Sequence, residues 1–296
     1  MSCLSFGKKS GSADQWKALS LISLVPIAVR VYGVQQSNLP TLLKLRRRGM
    51  SCSLLDESIT SQHLKFVTFV RHSVRLDTAV EGAKWEDSKT RPYDTPISDR
   101  ELVKVAADRI IECNSKNFPT VVFSSPFRRC IQTACTLVKE FAVLNPASKV
   151  VLVIDNRLGE VMSQIRSFLK HSDVQSFSYC SIDEVHMEAA KAGIEEFIWF
   201  TERNVPPLDE DNDGFYARVR SFDKIVEDYA CIIPDHRRIV VVTHADFLNV
   251  RLQQLEPQSL YAPLECGFFM ETISSRNDDC EERSAVSCMH RMDKIM

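Results

Sequence analysis

Four short runs of β-branched and aromatic residues punctuate the middle of the chain, at Lys65–Val70, Thr120–Phe123, Lys149–Ile154 and Arg238–Thr243. A fifth, weaker run lies at Phe268–Ile273. None alternates with polar residues, which is the pattern of strands covered on both faces. Between the runs the apolar spacing becomes that of a helix. Leu102, Val105, Ala106 and Ile110 form one stripe, preceded by Ser98-Asp-Arg-Glu101, the residue pattern of a capping box. Ile131, Ala134, Val138 and Phe141 form a second stripe. Phe215, Val219, Phe222, Ile225, Val226 and Tyr229 form a third. Residues 157–213 break the rhythm and predict a mixed helix-and-loop cap beside the sheet, its selective part lying at Met162–Pro207. Strand and helix alternating in this way predict an α/β fold: a mainly parallel sheet with helices on both faces and one cap insertion.

The two ends of the chain do not share this pattern. Residues 1–62 are expected to form an N-terminal extension, disordered or acting as a targeting segment, and residues 275–296 a polar tail around a domain of 63–274. The first 55 residues of the extension carry eight basic residues, between Lys8 and Arg48, against the single acid Asp14. Its apolar stretch, Ala18–Val29, is interrupted by Pro26 and is too short for a transmembrane helix. Serine-rich, acid-poor composition is compatible with a mitochondrial presequence. The net charge of -2 over 296 residues gives no general reason to expect nucleic acid or an anionic membrane as partner. The ten cysteines are scattered, with no Cys-x-x-Cys pair and no histidine at zinc-ligand spacing. Ordinary thiols of a reducing compartment are the simpler reading, which points to a cytoplasmic protein, with mitochondria as the alternative.

In parallel sheets ligands bind beyond the carboxyl ends of the strands, so the residues just past each run matter most. The first run leads into Arg71-His72-Ser73-Val74-Arg75 and the second into Ser124-Ser-Pro-Phe-Arg-Arg129. The third reaches Arg157-Leu-Gly-Glu160, and the fourth ends at His244. Three arginines, two histidines and a carboxylate can thus converge on one rim. Guanidinium forks suit a phosphate dianion. Phosphoryl transfer needs an in-line nucleophile, charge stabilisation and a proton for the leaving group. A neutral imidazole, the arginines with the second imidazole, and a carboxylic acid provide those parts without a metal or other cofactor. Each piece alone has a bland explanation as a structural or surface side chain. Arg-His-x-x-Arg after one buried strand, joined to Thr-His after another, does not, because packing alone would leave crowded cations without an anion.

The stretch Val70-Arg-His-Ser-Val-Arg-Leu-Asp77 resembles the signature of the histidine phosphatase superfamily, the phosphoglycerate mutase-like fold. Arg91-Pro-Tyr-Asp-Thr-Pro-Ile-Ser98, Ser124–Ala134, Val242-Thr-His-Ala245 and Pro263-Leu-Glu-Cys266 are similar to one branch of it. That branch holds the ubiquitin-associated and SH3 domain-containing protein phosphatases and the ecdysteroid-phosphate phosphatases. The resemblance runs from about Lys65 to Ile273. It implies that His72 is the phosphorylated nucleophile, that Arg71, Arg75 and Arg129 hold the phosphoryl group with His244, and that Glu160 donates the proton. Arg128 stands where the family usually has an apolar residue, which favours Arg129 as the site arginine. Two positions depart from the family: Ser73 and Ala245 replace glycines, and Ser73 is expected either to narrow the pocket or to add a hydroxyl near the phosphate. The implied activity is hydrolysis of phosphate esters through phosphohistidine, on a phosphorylated small molecule or phosphoprotein, with a homodimer among the family's options. The alternatives are mutase-type transfer to a sugar acid and a pseudophosphatase that binds phosphorylated partners.

Overall fold

The apolar runs fold into strands close to their expected limits: β2 (Leu64–Arg71), β3 (Val121–Ser124), β4 (Val151–Ile154), β6 (Arg238–Thr243) and β7 (Phe268–Ser274). The molecule is described from a computed structural model, which covers residues 29–32, 64–114, 118–147, 149–172, 174, 176–200, 206–230, 238–255 and 264–274. Two further strands, β1 (Val29–Tyr32) and β5 (Phe197–Phe200), complete a seven-stranded sheet in the order β1-β5-β4-β3-β6-β2-β7. The five inner strands are mutually parallel, and β1 and β7 run antiparallel at the two edges. A mainly parallel α/β sheet is therefore what the unbroken apolar runs anticipate.

Helices cover both faces. On one face, α2 (Glu101–Cys113), α3 (Arg128–Leu144) and α5 (Ile182–Lys191) pack over Val70, Val122, Leu152, Val240 and Val242. On the other, α6 (Asn212–Arg220), α7 (Phe222–Ala230) and α8 (Ala245–Leu255) pack over Val67, Phe69, Phe123, Val153 and Val241. Successive residues of the inner strands point to opposite cores, which is why apolar positions run on without alternation. A short helix, α1 (Leu76–Ala79), comes after β2, and α4 (Met162–Lys170) stands apart over Tyr93 and Phe127. Among the described residues, no helix is long and apolar enough to cross a membrane.

Four expectations change. The region set aside as a cap contributes α4 and α5, but its end returns to the sheet as β5, paired parallel with β4. The predicted capping box does not form: Ser98 gives its hydroxyl to the Val74 carbonyl, and Asp99 caps α2 by accepting from the Leu102 amide at 2.9 Å. A true capping box sits instead at Ser181 and Glu184, at the start of α5. The stripe from Phe215 onward is two helices, separated at Ser221, whose amide closes the first on the Ala217 carbonyl at 3.0 Å. Finally, Val29–Tyr32 joins the sheet although it lies in the segment separated from the fold on composition. The rest of residues 1–62, the tail 275–296 and Pro263 lie outside the described residues.

Phe69 shows how tightly the second core is filled. Its ring stacks on Phe269 at 5.0 Å and meets Phe222 edge-on at 4.9 Å, with no exposed surface. Phe69→Ala is expected to cost about 3–5 kcal/mol in urea denaturation. Phe66, on the same strand but 46% exposed, should cost under about 1 kcal/mol on the same change.

Candidate active site

The order of the inner strands explains why residues far apart in sequence meet. β6 lies between β2 and β3, with Arg71 opposite Thr243 and Ser124 opposite Val242. Ser124 is also opposite Ile154 of β4. The residues just beyond these pairs therefore emerge side by side at the carboxyl edge. The His72 amide donates to the Thr243 carbonyl at 3.1 Å, and the Ser125 amide to the Val242 carbonyl at 3.0 Å. The His72 and His244 rings end 5.5 Å apart, inclined by 66°.

His72 is buried, and its Nδ1 lies 2.8 Å from the Ser73 carbonyl oxygen. A carbonyl only accepts, so Nδ1 carries the proton and Nε2 keeps its lone pair. Burial pushes its pKa well below the usual histidine value, and the charges of Arg129 and Arg71 and the neighbouring His244 push the same way. The bond to the Ser73 carbonyl opposes them without prevailing. This imidazole is neutral at physiological pH and held in the tautomer a nucleophile requires.

The loop that presents it is fixed from three sides. The Ser73 amide donates to Thr133 Oγ1 at 3.0 Å, and the Ser73 hydroxyl to the Asp99 carbonyl at 2.6 Å. That hydroxyl ties the loop to the segment just before α2. On the third side, Cys266 adopts φ +58, a left-handed conformation that costs a non-glycine residue of order 1 kcal/mol. Its amide there reaches the Arg71 carbonyl at 3.2 Å and the His72 carbonyl at 3.4 Å.

His244, Glu160 and Arg129 form a closed triangle. Arg129 Nη2 is 3.1 Å from His244 Nδ1 and 3.2 Å from Glu160 Oε2, which is 3.1 Å from His244 Nδ1. The other ring nitrogen, Nε2, lies 2.8 Å from the Ser125 hydroxyl and 3.5 Å from Cys130 Sγ. Phe127 packs its ring against His244 at 5.0 Å and lies under the Arg129 guanidinium at 4.7 Å. Burial lowers the His244 pKa, Glu160 opposes and Arg129 reinforces, leaving it at about 4. For Glu160, burial acts upward, but His244, Arg129 and His72 outweigh it and hold the carboxyl well below the usual range. Glu160 is thus ionised in the resting site. Its loop is held by Arg218, which donates to the carbonyls of Arg157 and Gly159, both at 2.9 Å, and of Glu160 at 3.2 Å. Arg129 also donates from Nη1 to the Tyr93 carbonyl at 3.0 Å, whereas its buried Nε–H has no partner among the described residues.

Of the residues singled out in sequence, His72, His244, Glu160 and Arg129 are brought together. Arg71 stands at the edge of the cluster, 3.1 Å from Glu265, its charge acting on His72. Arg75 is not brought against either imidazole by any contact among the described residues; Asp77, two residues on, holds its guanidinium through Nε at 3.0 Å and through Nη2. Arg128 is engaged elsewhere, with Arg91, Asp87 and Glu184, tying the loop after α1 to α5. Ser125, Phe127 and Cys266 contribute to the site without having been picked out. Ser125 was readable in principle, since it directly succeeds a buried strand at the same rim. Cys266 was not, because its role lies in its backbone. Among the described residues, no cluster of histidine, cysteine and carboxylates could hold a metal ion.

No protein-family model matches the chain, and no curated protein matches it significantly in sequence. Solved structures do resemble it. An ecdysone phosphate phosphatase from Bombix mori, in complex with tungstate, is 16% identical over 74% of this chain and 98% of its own, with a TM-score of 0.49. A phosphoglycerate mutase from Bacillus anthracis is 18% identical over 76% and 93%, with a TM-score of 0.42. A mycobacterial glucosyl-3-phosphoglycerate phosphatase, in complex with VO3, is 15% identical over 70% and 90%, with a TM-score of 0.40. These neighbours are phosphatases and a mutase, the group that the sequence motifs resemble, and at such identities their likeness to this chain says nothing of its activity.

The electrostatics of the triangle make a prediction about stability. An imidazole with a depressed folded pKa binds protons more readily when unfolded, so folding weakens as pH falls from about 6.5 toward the folded value. Glu160, with its pKa lowered, loses its contribution below the ordinary glutamate range. Both act in the same direction. The melting temperature should therefore fall steadily from pH 7 to pH 4.5. His244→Gln should flatten that slope by an amount on the order of 1–3 kcal/mol.

Proposed function

We propose that the chain is a phosphomonoesterase working through a phosphohistidine on His72. The observation that carries this reading is the pairing of a tautomer-fixed neutral imidazole with a buried arginine, a second imidazole and a carboxylate at one strand edge. In the first step His72 Nε2 attacks phosphorus, the P–N bond forms, and the bond to the ester oxygen breaks. Arg129 and His244 stabilise the charge spreading over the phosphoryl oxygens. Glu160 protonates the departing oxygen. Because it is ionised in the resting site, it must gain that proton as the substrate binds, and an arriving dianion raises its pKa by taking over the Arg129 charge. In the second step Glu160, again a carboxylate, takes a proton from water, whose oxygen attacks phosphorus as the P–N bond breaks. Inorganic phosphate leaves and His72 returns to its starting form.

The substrate is a phosphorylated small molecule or a phosphoprotein, and no metal or other cofactor takes part. The five cysteines among the described residues are free thiols, four of them buried, which fits a cytoplasmic setting.

Purified protein should release p-nitrophenol from p-nitrophenyl phosphate, and His72→Ala should abolish that release. Undiminished turnover in the variant would reject the assignment. Conversion of 3-phosphoglycerate into 2-phosphoglycerate, in place of phosphate release, would replace hydrolysis by transfer. Glu160→Gln separates the proton donor's role from the rest. Its loss should be about 10²–10⁴-fold for alkyl phosphates and much smaller for p-nitrophenyl phosphate, whose leaving group departs readily as an anion.

A further inference from the structure

At the outer edge of the site stands a carboxylate that the chemistry above does not use. Asp246 lies two residues beyond His244, in the first turn of α8. Unlike Glu160, it is only half-buried. Its Oδ2 accepts a hydrogen bond from Nε2 of Gln164, an exposed residue of α4 four positions past Glu160. His244 and Glu160 are themselves 3.1 Å apart, so this second bond between the same two segments stands beside them, and both of its residues reach solvent.

The charge around it is unusual for a site that must admit an anion. Arg71 and Arg75, the partly exposed arginines nearby, are paired with Glu265 and Asp77. Asp246, by contrast, is hydrogen-bonded to a neutral amide. Each of these arginines, like Arg129 with Glu160, thus already has an acid beside it, while the exposed edge carries one further carboxylate. A substituent on the ester's alcohol portion has to pass or rest near that edge.

We propose that Asp246, presented with Gln164 at the exposed edge of the site, makes the enzyme discriminate against phosphate esters whose alcohol portion is anionic and favour neutral or cationic ones. This rests on the phosphomonoesterase reading and narrows its substrate class. It also sets the protein apart from chemistry on phosphoglycerates, whose carboxylate would face Asp246 directly.

The test compares phosphate release from O-phosphoethanolamine, glycerol 3-phosphate and 3-phosphoglycerate at pH 8, as kcat/KM, each rate referred to p-nitrophenyl phosphate. The wild-type protein should favour the first two over the third. Asp246→Asn should shift the ethanolamine-to-glycerate ratio toward the glycerate ester by about five- to tenfold, and Asp246→Glu should preserve it. Gln164→Lys, a change on an exposed helix face, should shift the ratio in the same direction as Asp246→Asn, and added salt should compress every ratio. Ratios unmoved by Asp246→Asn and Gln164→Lys, in proteins that still hydrolyse p-nitrophenyl phosphate, would overturn the selectivity and leave the phosphatase reading standing. A wild-type protein inert toward all four esters would overturn both.

Discussion

The buried guanidinium of Arg129 is the constraint around which the site is built. Only 3% of this residue is exposed, at the beginning of α3, where the chain turns back from β3. A cation so far from water is tolerable only if an anion and hydrogen-bond acceptors meet it, and leaving one partner without the other typically costs about 3–5 kcal/mol. Glu160 supplies the anion and the Tyr93 carbonyl an acceptor, and His244 Nδ1 stands 3.1 Å from the guanidinium. Because those three come from three different segments, the demand of one charge fixes the loop before α2, the turn after β4 and the end of β6 together. Burial, reinforced by the same charge, keeps both imidazoles neutral, which is the state that phosphoryl transfer to nitrogen requires.

The sheet makes this convergence possible at low cost in chain entropy. Parallel strands release their next residues along one edge, and with β6 between β2 and β3 the two histidines are neighbours by register alone. Both cores are filled by residues alternating along the same strands, so the edge is a rigid platform rather than a set of independent loops. Two local devices refine it. The left-handed Cys266 turns its amide onto the carbonyls flanking the nucleophile, and Arg218 holds three carbonyls of the Glu160 loop while its own charge is met by Glu210. Precision at the reacting atoms thus derives from backbone groups as much as from the side chains that face the ligand.

Much of this was legible in the chain. Four of the five inner strands declared themselves because burial on two faces leaves little room for polar residues, and His72 and His244 were conspicuous because each ends such a run. What escaped was set by tertiary contacts. Phe197–Phe200 becomes a strand because Leu152 stands opposite Phe197 in the pairing with β4, a partner 45 residues away in sequence that no local pattern reveals. Ser98 and Asp99 were equally good caps until the Val74 carbonyl claimed the serine hydroxyl. The bond from Arg75 to Asp77, two residues on, was likewise not read from the motif that contains both. The acceptor of the Ser73 hydroxyl, the Asp99 carbonyl 26 residues on, was equally hidden from any local pattern.

The central claim is that the phosphoryl group rests on the imidazole of His72 during turnover. Rapid mixing with p-nitrophenyl phosphate, quenching in base and peptide mass spectrometry test it directly. The account predicts an acid-labile phosphoryl group on His72, appearing with a burst of p-nitrophenol equal to the enzyme present. Steady turnover with no phosphorylated histidine, or with the group on a serine, cysteine or carboxylate instead, would contradict it.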